Sequence, residues 1–243
     1  MIVEICSNSI ESVLIANKAK ADRIELCSNL NIGGLTPSNG LIQLAVKESK
    51  IPIHCLIRPR EGHFIYDKYD FETILSDIRN MQSLGVSGIV VGVMTKEYKI
   101  NTRQLEKIVS EAQGLEITYH RAFDCLLDPE NEIKKLSSIG IRRILSSGGA
   151  NTAIKGIGRL IKWKSISPKS IEIQPGGGIN QNNVLEFKNA GFSSIHLSGT
   201  KPIKWHHLIP NKIDKTFFNQ EIKTSNLETI KNIVSVVKKN PLT

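Results

Sequence analysis

Residues 22–38, DRIELCSNLNIGGLTPS, carry one complete structural step. A short apolar strand, Arg23–Leu26, runs into Cys27, a polar loop, the Gly33-Gly34 pair and a helix start at Thr36-Pro37-Ser38. That strand holds a carboxylate, Glu25, where a core residue is expected. A charge at the end of a buried strand beside a glycine loop costs stability, so its presence points to a site.

The same step repeats along the chain. Short β-branched runs occur at 2–6, Arg23–Leu26, 53–57, 88–93, 116–120, Arg143–Ser146, 170–174 and Ser194–Leu197. Between them, apolar residues return at three- and four-residue steps. Ile74, Leu75, Ile78, Met81 and Leu84 precede Gly85; Leu105, Ile108, Val109 and Ala112 precede Gly114; Ile133, Leu136 and Ile139 precede Gly140. Asp128-Pro129 marks one helix start. Asn101-x-x-Gln104 and Ser225-x-x-Glu228 resemble capping boxes, the second opening a final helix near 226–238. Alternating strands and helices imply parallel pairing through right-handed crossovers. Eight such units in about 200 residues fit a closed (β/α)8 TIM-type barrel better than an open doubly wound sheet. No composition break marks a second domain, so residues 1–243 read as a single barrel domain. The irregular stretch 199–225 is expected to cover the barrel mouth or to form the contact of a homodimer.

A hydrophobic fraction of 40% with 23% charged residues is ordinary for a soluble globular protein. No apolar run approaches the ~18–20 residues of a membrane span, and Glu4 stands where a signal peptide needs a basic segment. A cytoplasmic protein with no membrane partner is expected. Cys6, Cys27, Cys55 and Cys125 are scattered without a C-x-x-C and read as free thiols. The net charge of +9 raises nucleic acid as a partner, but 200–243 hold eight lysines against three carboxylates, more than half of that excess. With aromatics at only 5%, platforms for stacking bases are few and no nucleic-acid partner is expected. A lysine-rich solvated surface accounts for the charge, with a field that favours anionic ligands.

In such barrels the active site forms at the C-terminal ends of the strands. Side chains alternate along a strand, so Glu4 shares a face with Cys6, Glu25 with Cys27, and His196 with Ser198. The third strand ends in Arg58-Pro59-Arg60 and the fifth in His120-Arg121-Ala122-Phe123-Asp124. The candidate catalytic set is therefore Glu4, Glu25, Arg58, His120 and Asp124. Arg58 is read as an anion clamp and His120 and Glu25 as acid/base groups, with Arg58 and His120 also the cationic partners of Glu25. The same residues would equally make a ring of salt bridges plugging the barrel. The seventh strand runs into Gly176-Gly177-Gly178, with a helix expected to start near Asn180. Gly176, Gly177, Gly178, Arg58 and Ser198 form the candidate site for a phosphate, sulfate or carboxylate. No lysine ends a recognised strand, which argues against a Schiff-base aldolase. Cys6 and Cys27 sit on neighbouring strands at the same face and level, so their sulfurs could lie a few ångströms apart. Two thiolates suit a soft ion such as Cu(I), while buried free cysteines also serve as small hydrophobes. Cys55 has the opposite parity to Arg58 and is expected to face a helix; Cys125 falls in a loop.

Through ADRIELC (21–27), GGLTPS (33–38), IRPR (57–60), HRAFD (120–124), PGGGI (175–179) and His196-x-Ser198, the chain resembles the CutC copper-homeostasis family. The resemblance extends from residue 2 to the final helix. It implies a (β/α)8 barrel, cytoplasmic copper handling and copper as the bound ion. Copper-binding cysteines have been proposed in animal members, and Cys6 and Cys27 are the positions here that could carry that role. One departure is Leu197, where many relatives have a cysteine, so that position adds no thiol. The functional expectation is a copper-homeostasis protein binding Cu(I) through thiols at the barrel mouth. The alternative is a TIM-barrel isomerase, epimerase or lyase acting on a small phosphorylated or carboxylated metabolite.

Overall fold

Alternation of side chains along the strands sorts the chain into two layers, one packed under helices and one turned toward a common axis. The structure, a computed structural model, describes residues 1–203, 210, 212, 214, 216 and 222–239. The strands of the main sheet are β1 (Ile2–Ser7), β2 (Arg23–Leu26), β3 (Ile53–Leu56), β4 (Gly88–Val91), β5 (Glu116–Tyr119), β6 (Arg143–Ser146), β7 (Glu172–Pro175) and β8 (Ser194–Leu197). The helices are α1 (Ile10–Lys18), α2 (Asn39–Glu48), α3 (Lys68–Ser83), α4 (Thr102–Glu111), α5 (Pro129–Ile139), α6 (Ile157–Ile166), α7 (Val184–Asn189) and α8 (Leu227–Lys238).

All pairings in the main sheet are parallel, in the order β7-β6-β5-β4-β3-β2-β1-β8. A parallel bridge between Gly176 and His196 joins the two ends of that order and closes the (β/α)8 barrel. Register places Glu4 opposite Arg23 on one side and His196 on the other, and Cys6 opposite Glu25. The outward residues Val3, Ile5, Ile24, Leu26, Cys55, Ile89, Ile117, Ile144, Ile173 and Ile195 belong to one large core with the buried faces of the helices. Each such aliphatic side chain contributes about 1.5–3 kcal/mol on burial, so this shell is the main source of cohesion. Cys55 faces the helices, as parity requires. On the inward side, Cys6, Cys27, Leu56 and Val90 form a small apolar cluster.

Helix starts follow local chemistry. Ser38 caps α2, Asp128 caps α5 ahead of Pro129, and Asn101 caps α4 by accepting from Gln104 N. Gln104 turns its own amide to Tyr66 O instead of completing the box. Two starts differ from the sequence expectation. Helix α8 is capped by Asn226, whose side chain accepts from Thr229 N at 3.0 Å. Ser225 is held instead in β10 (Lys223–Ser225), antiparallel to β9 (Thr200–Pro202), and its N–H donates to Ser12 Oγ. Helix α7 begins at Val184, not near Asn180, because Asn180 and Asn183 fold a turn back onto Gly178 O. The β9–β10 ribbon bounds the stretch 199–225. The expected mouth cover or dimer contact falls largely on residues outside those described. Among the described residues no helix is long and apolar enough to cross a membrane.

Candidate functional site

The axis of the barrel is charged where aliphatic layers would be usual. Glu4, 1% exposed, is ion-paired with Arg23, and its other oxygen accepts from His196 Nδ1 at 2.8 Å. Burial works to raise its pKa, but Arg23 and His196 hold the carboxyl well below the usual range. Deeper in the barrel, Arg143 donates to Glu172 (2.9 Å), Thr118 (3.0 Å) and Glu116 (3.2 Å). His54 lies beside them. Burial, with Arg23 and Arg143 nearby, lowers it to about 4 in spite of Glu4, so it is neutral.

Above that layer, the C-terminal ends of β1, β2 and β8 bring together a thiol, a carboxylate and an imidazole. Ligand atoms of Cys6, Glu25 and His196 all lie within 4.8 Å of one another. Cys6 Sγ is 3.8 Å from Glu25 Oε1 and 3.6 Å from Cys27 Sγ. Glu25 Oε2 is 3.9 Å from His196 Nδ1 and, though buried, has no hydrogen-bond partner among the described residues. Burial pushes the Glu25 carboxyl up to about 7, against the pull of His196 and with the help of the Glu4 charge. Burial works to lower the pKa of His196, but Glu25 and Glu4 outweigh it and raise it. The Cys6 thiol is pushed well up, first by its hydrogen bond with Cys27, then by burial and by the two carboxylates. Glu4 fixes the His196 ring through Nδ1 and leaves Nε2 for another partner, the arrangement in which a carboxylate orients a ligating histidine.

This cluster forms one wall of a cavity of about 440 Å³ at the barrel mouth. Arg58 and His120 line the same cavity. Arg58 donates from Nη1 to Ile32 O (2.8 Å) and Gly34 O (3.0 Å), and from Nη2 to Gly62 O (3.0 Å), and lies over the Phe64 ring. His120 accepts from Ala122 N at 3.1 Å through Nδ1. Burial and the Arg58 charge depress it to about 3, so the ring is neutral with its proton on Nε2. Gly92 makes room for that ring: a Cβ there would come within 2.2 Å of His120 Cε1.

Of the sequence-predicted residues, Glu4, Glu25, Cys6 and Cys27 come together, while Arg58 and His120 line the same cavity and make no ion pair with them among the described residues. Arg58 and His120 are therefore not the cationic partners of Glu25; its neighbour is His196, and Arg23 pairs with Glu4. Asp124 lies at the rim, where Ser146 Oγ, Ser147 N, Ser147 Oγ, Gly149 N and Arg121 Nε all donate to it. It stitches the β5 and β6 loops. Gly177, Gly178 and Ser198 line the cavity, and Gly176 sits against His196. The pairing roles of Arg23 and His196 were missed. Both were available from parity, since barrel closure puts β8 beside β1 and sets His196 against Glu4.

A closed parallel barrel whose thiol, carboxylate and imidazole groups meet at the C-terminal rim defines a TIM-type (β/α)8 protein with its site at the mouth. The CutC family model matches residues 1–201, and the chain belongs to the CutC family. It is 42% identical over 200 residues to the family protein CutC of Pasteurella multocida, covering 82% of each chain. The crystal structure of CutC from Streptococcus agalactiae superposes with a TM-score of 0.77 at 30% identity, over 82% of this chain and 98% of that one. An N-(5'-phosphoribosyl)anthranilate isomerase from Pyrococcus furiosus shares the fold, with a TM-score of 0.58 at 17% identity over 98% of each chain.

Proposed function

We propose that this chain serves copper homeostasis in the cytoplasm by taking Cu(I) as cargo on Cys6 and His196 at the barrel mouth, with Cys27 as a second thiol. The carrying observation is the donor set: Cys6, Glu25 and His196 within 4.8 Å, and the Cys27 sulfur 3.6 Å from that of Cys6. Thiolate and imidazole are the ligands that soft Cu(I) prefers, so these residues fit the ion. Further support comes from the family and from its S. agalactiae member, described as a proposed copper homeostasis protein. Four unpaired cysteines support a reducing compartment.

The chain's own groups provide for proton release. A protonated Cys6 must lose its proton to become a ligand. Glu25 Oε1, 3.8 Å away on a carboxyl with a pKa near 7, is the base placed to receive it. Glu4 holds the His196 ring in place throughout. Anaerobic Cu(I) titration against a competing chelator tests the assignment. Cys6→Ser/Cys27→Ser should weaken binding by more than about tenfold, or 1.4 kcal/mol. Affinity equal to that of the parent would remove the site from these thiols.

A further inference from the structure

One ion fills little of a 440 Å³ cavity, and Arg58 and His120 give part of its lining a different chemistry. Arg58 is only 7% exposed, yet its guanidinium donates to the backbone carbonyls of Ile32, Gly34 and Gly62, and no carboxylate among the described residues pairs with it. Its Nε–H has no partner among those residues. A buried guanidinium with no counter-charge is costly, and it is retained where something anionic is to meet it. His120 repeats the pattern: 6% exposed, neutral, with its Nε2–H unpartnered among the described residues. Both groups pack on Phe64, with Arg58 Cζ 5.2 Å and the His120 centroid 4.8 Å from the Phe64 centroid. Two unsatisfied donors, one of them charged, thus sit beside one ring, on side chains that line the cavity. The surrounding surface is largely apolar, through Leu30, Ile32, Leu145 and Ile179. A cavity of a few hundred Å³, mostly apolar with a few convergent polar groups, is the form of a small-molecule site.

We infer that this half of the mouth binds a small organic anion, a carboxylate or phosphate monoester, with its charged end at Arg58 and His120 and its apolar body along Ile32, Phe64 and Leu145. The anion supplies the counter-charge that the fold withholds from Arg58. The neutral imidazole adds a hydrogen bond without requiring a second buried charge. Neither Arg58 nor His120 is among the proposed copper ligands, so the assignment stands whether or not Cys6 and Cys27 bind copper.

Phenyl phosphate, benzoate, inorganic phosphate and uncharged phenol serve as probes, titrated calorimetrically into the metal-free full-length protein. Phenyl phosphate or benzoate should bind saturably, at least tenfold tighter than both inorganic phosphate and phenol, and which of the two binds tighter identifies the headgroup. Arg58→Gln should lose at least tenfold in affinity. Should that variant fail to fold by circular dichroism, His120→Asn carries the test. Its amide oxygen can still accept from Ala122 N, but the Nε2–H is gone, and affinity should fall at least threefold. Absence of saturable binding by either organic anion, or binding undiminished in the folded variants, would overturn the assignment.

Discussion

At the residue scale, Glu25 is a carboxyl whose environment favours the neutral form. Its folded pKa, near 7, lies above the ordinary value of 4.5, so the folded protein holds this proton more tightly than the unfolded chain. The stabilising contribution is full below about pH 4.5 and is lost as pH rises through 7, a swing on the order of 3 kcal/mol. In the metal-free protein, urea midpoints of the parent should therefore decline between pH 5 and 8, and Glu25→Gln should flatten that decline. An unchanged slope would mean that Glu25 ionises freely. Gly92 offers a second residue-level test, because a methyl group there collides with His120. Gly92→Ala should cost about 1–3 kcal/mol in thermal or urea unfolding, the range typical of overpacking. Glu25 was legible in the sequence because a carboxylate interrupted an apolar strand. The space required at Gly92 was not, since a glycine in a strand looks the same whether it serves a turn, a bulge or a neighbouring ring.

Elements were legible to the extent that their signals were local. Periodicity found the helices that run into Gly85, Gly114 and Gly140, and strands Arg23–Leu26, Arg143–Ser146 and Ser194–Leu197 fall where the β-branched runs lie. Ser225 misled because serine and asparagine are near-equal caps, and only the tertiary hold of β10 on Ser225 moves the cap to Asn226. Two substitutions separate these roles in chemical denaturation. Asn226→Ala should cost about 1 kcal/mol as a lost cap. Ser225→Ala should be close to neutral, because its buried hydroxyl has no partner among the described residues to lose. A reversed order of effects would return the cap to Ser225.

For the whole molecule, the barrel axis carries ion pairs in place of packed aliphatic layers. Arg23→Met should destabilise by about 3–5 kcal/mol, because it strands the buried carboxylate of Glu4. Lys238→Ala, which breaks a half-exposed pair with Asp22, should cost less than about 1 kcal/mol by the same urea titration. Similar losses for the two would mean that the axial pair is solvated. Sequence parity showed that charges faced inward, but not which neighbour each would choose. That choice depends on register between strands far apart in the chain.

The contact between Glu4 and His196 spans 192 positions. The thiols and Glu25 come from the first two strands of the barrel and the imidazole from its last. A nascent chain that has not yet delivered β8 holds Cys6 and Glu25 without their imidazole, beside an unpaired edge of β1. Such late, long-range closure is intrinsically slow and follows the local contacts. Completion of synthesis is thus a checkpoint for the site, and fragments truncated before residue 194 lack it.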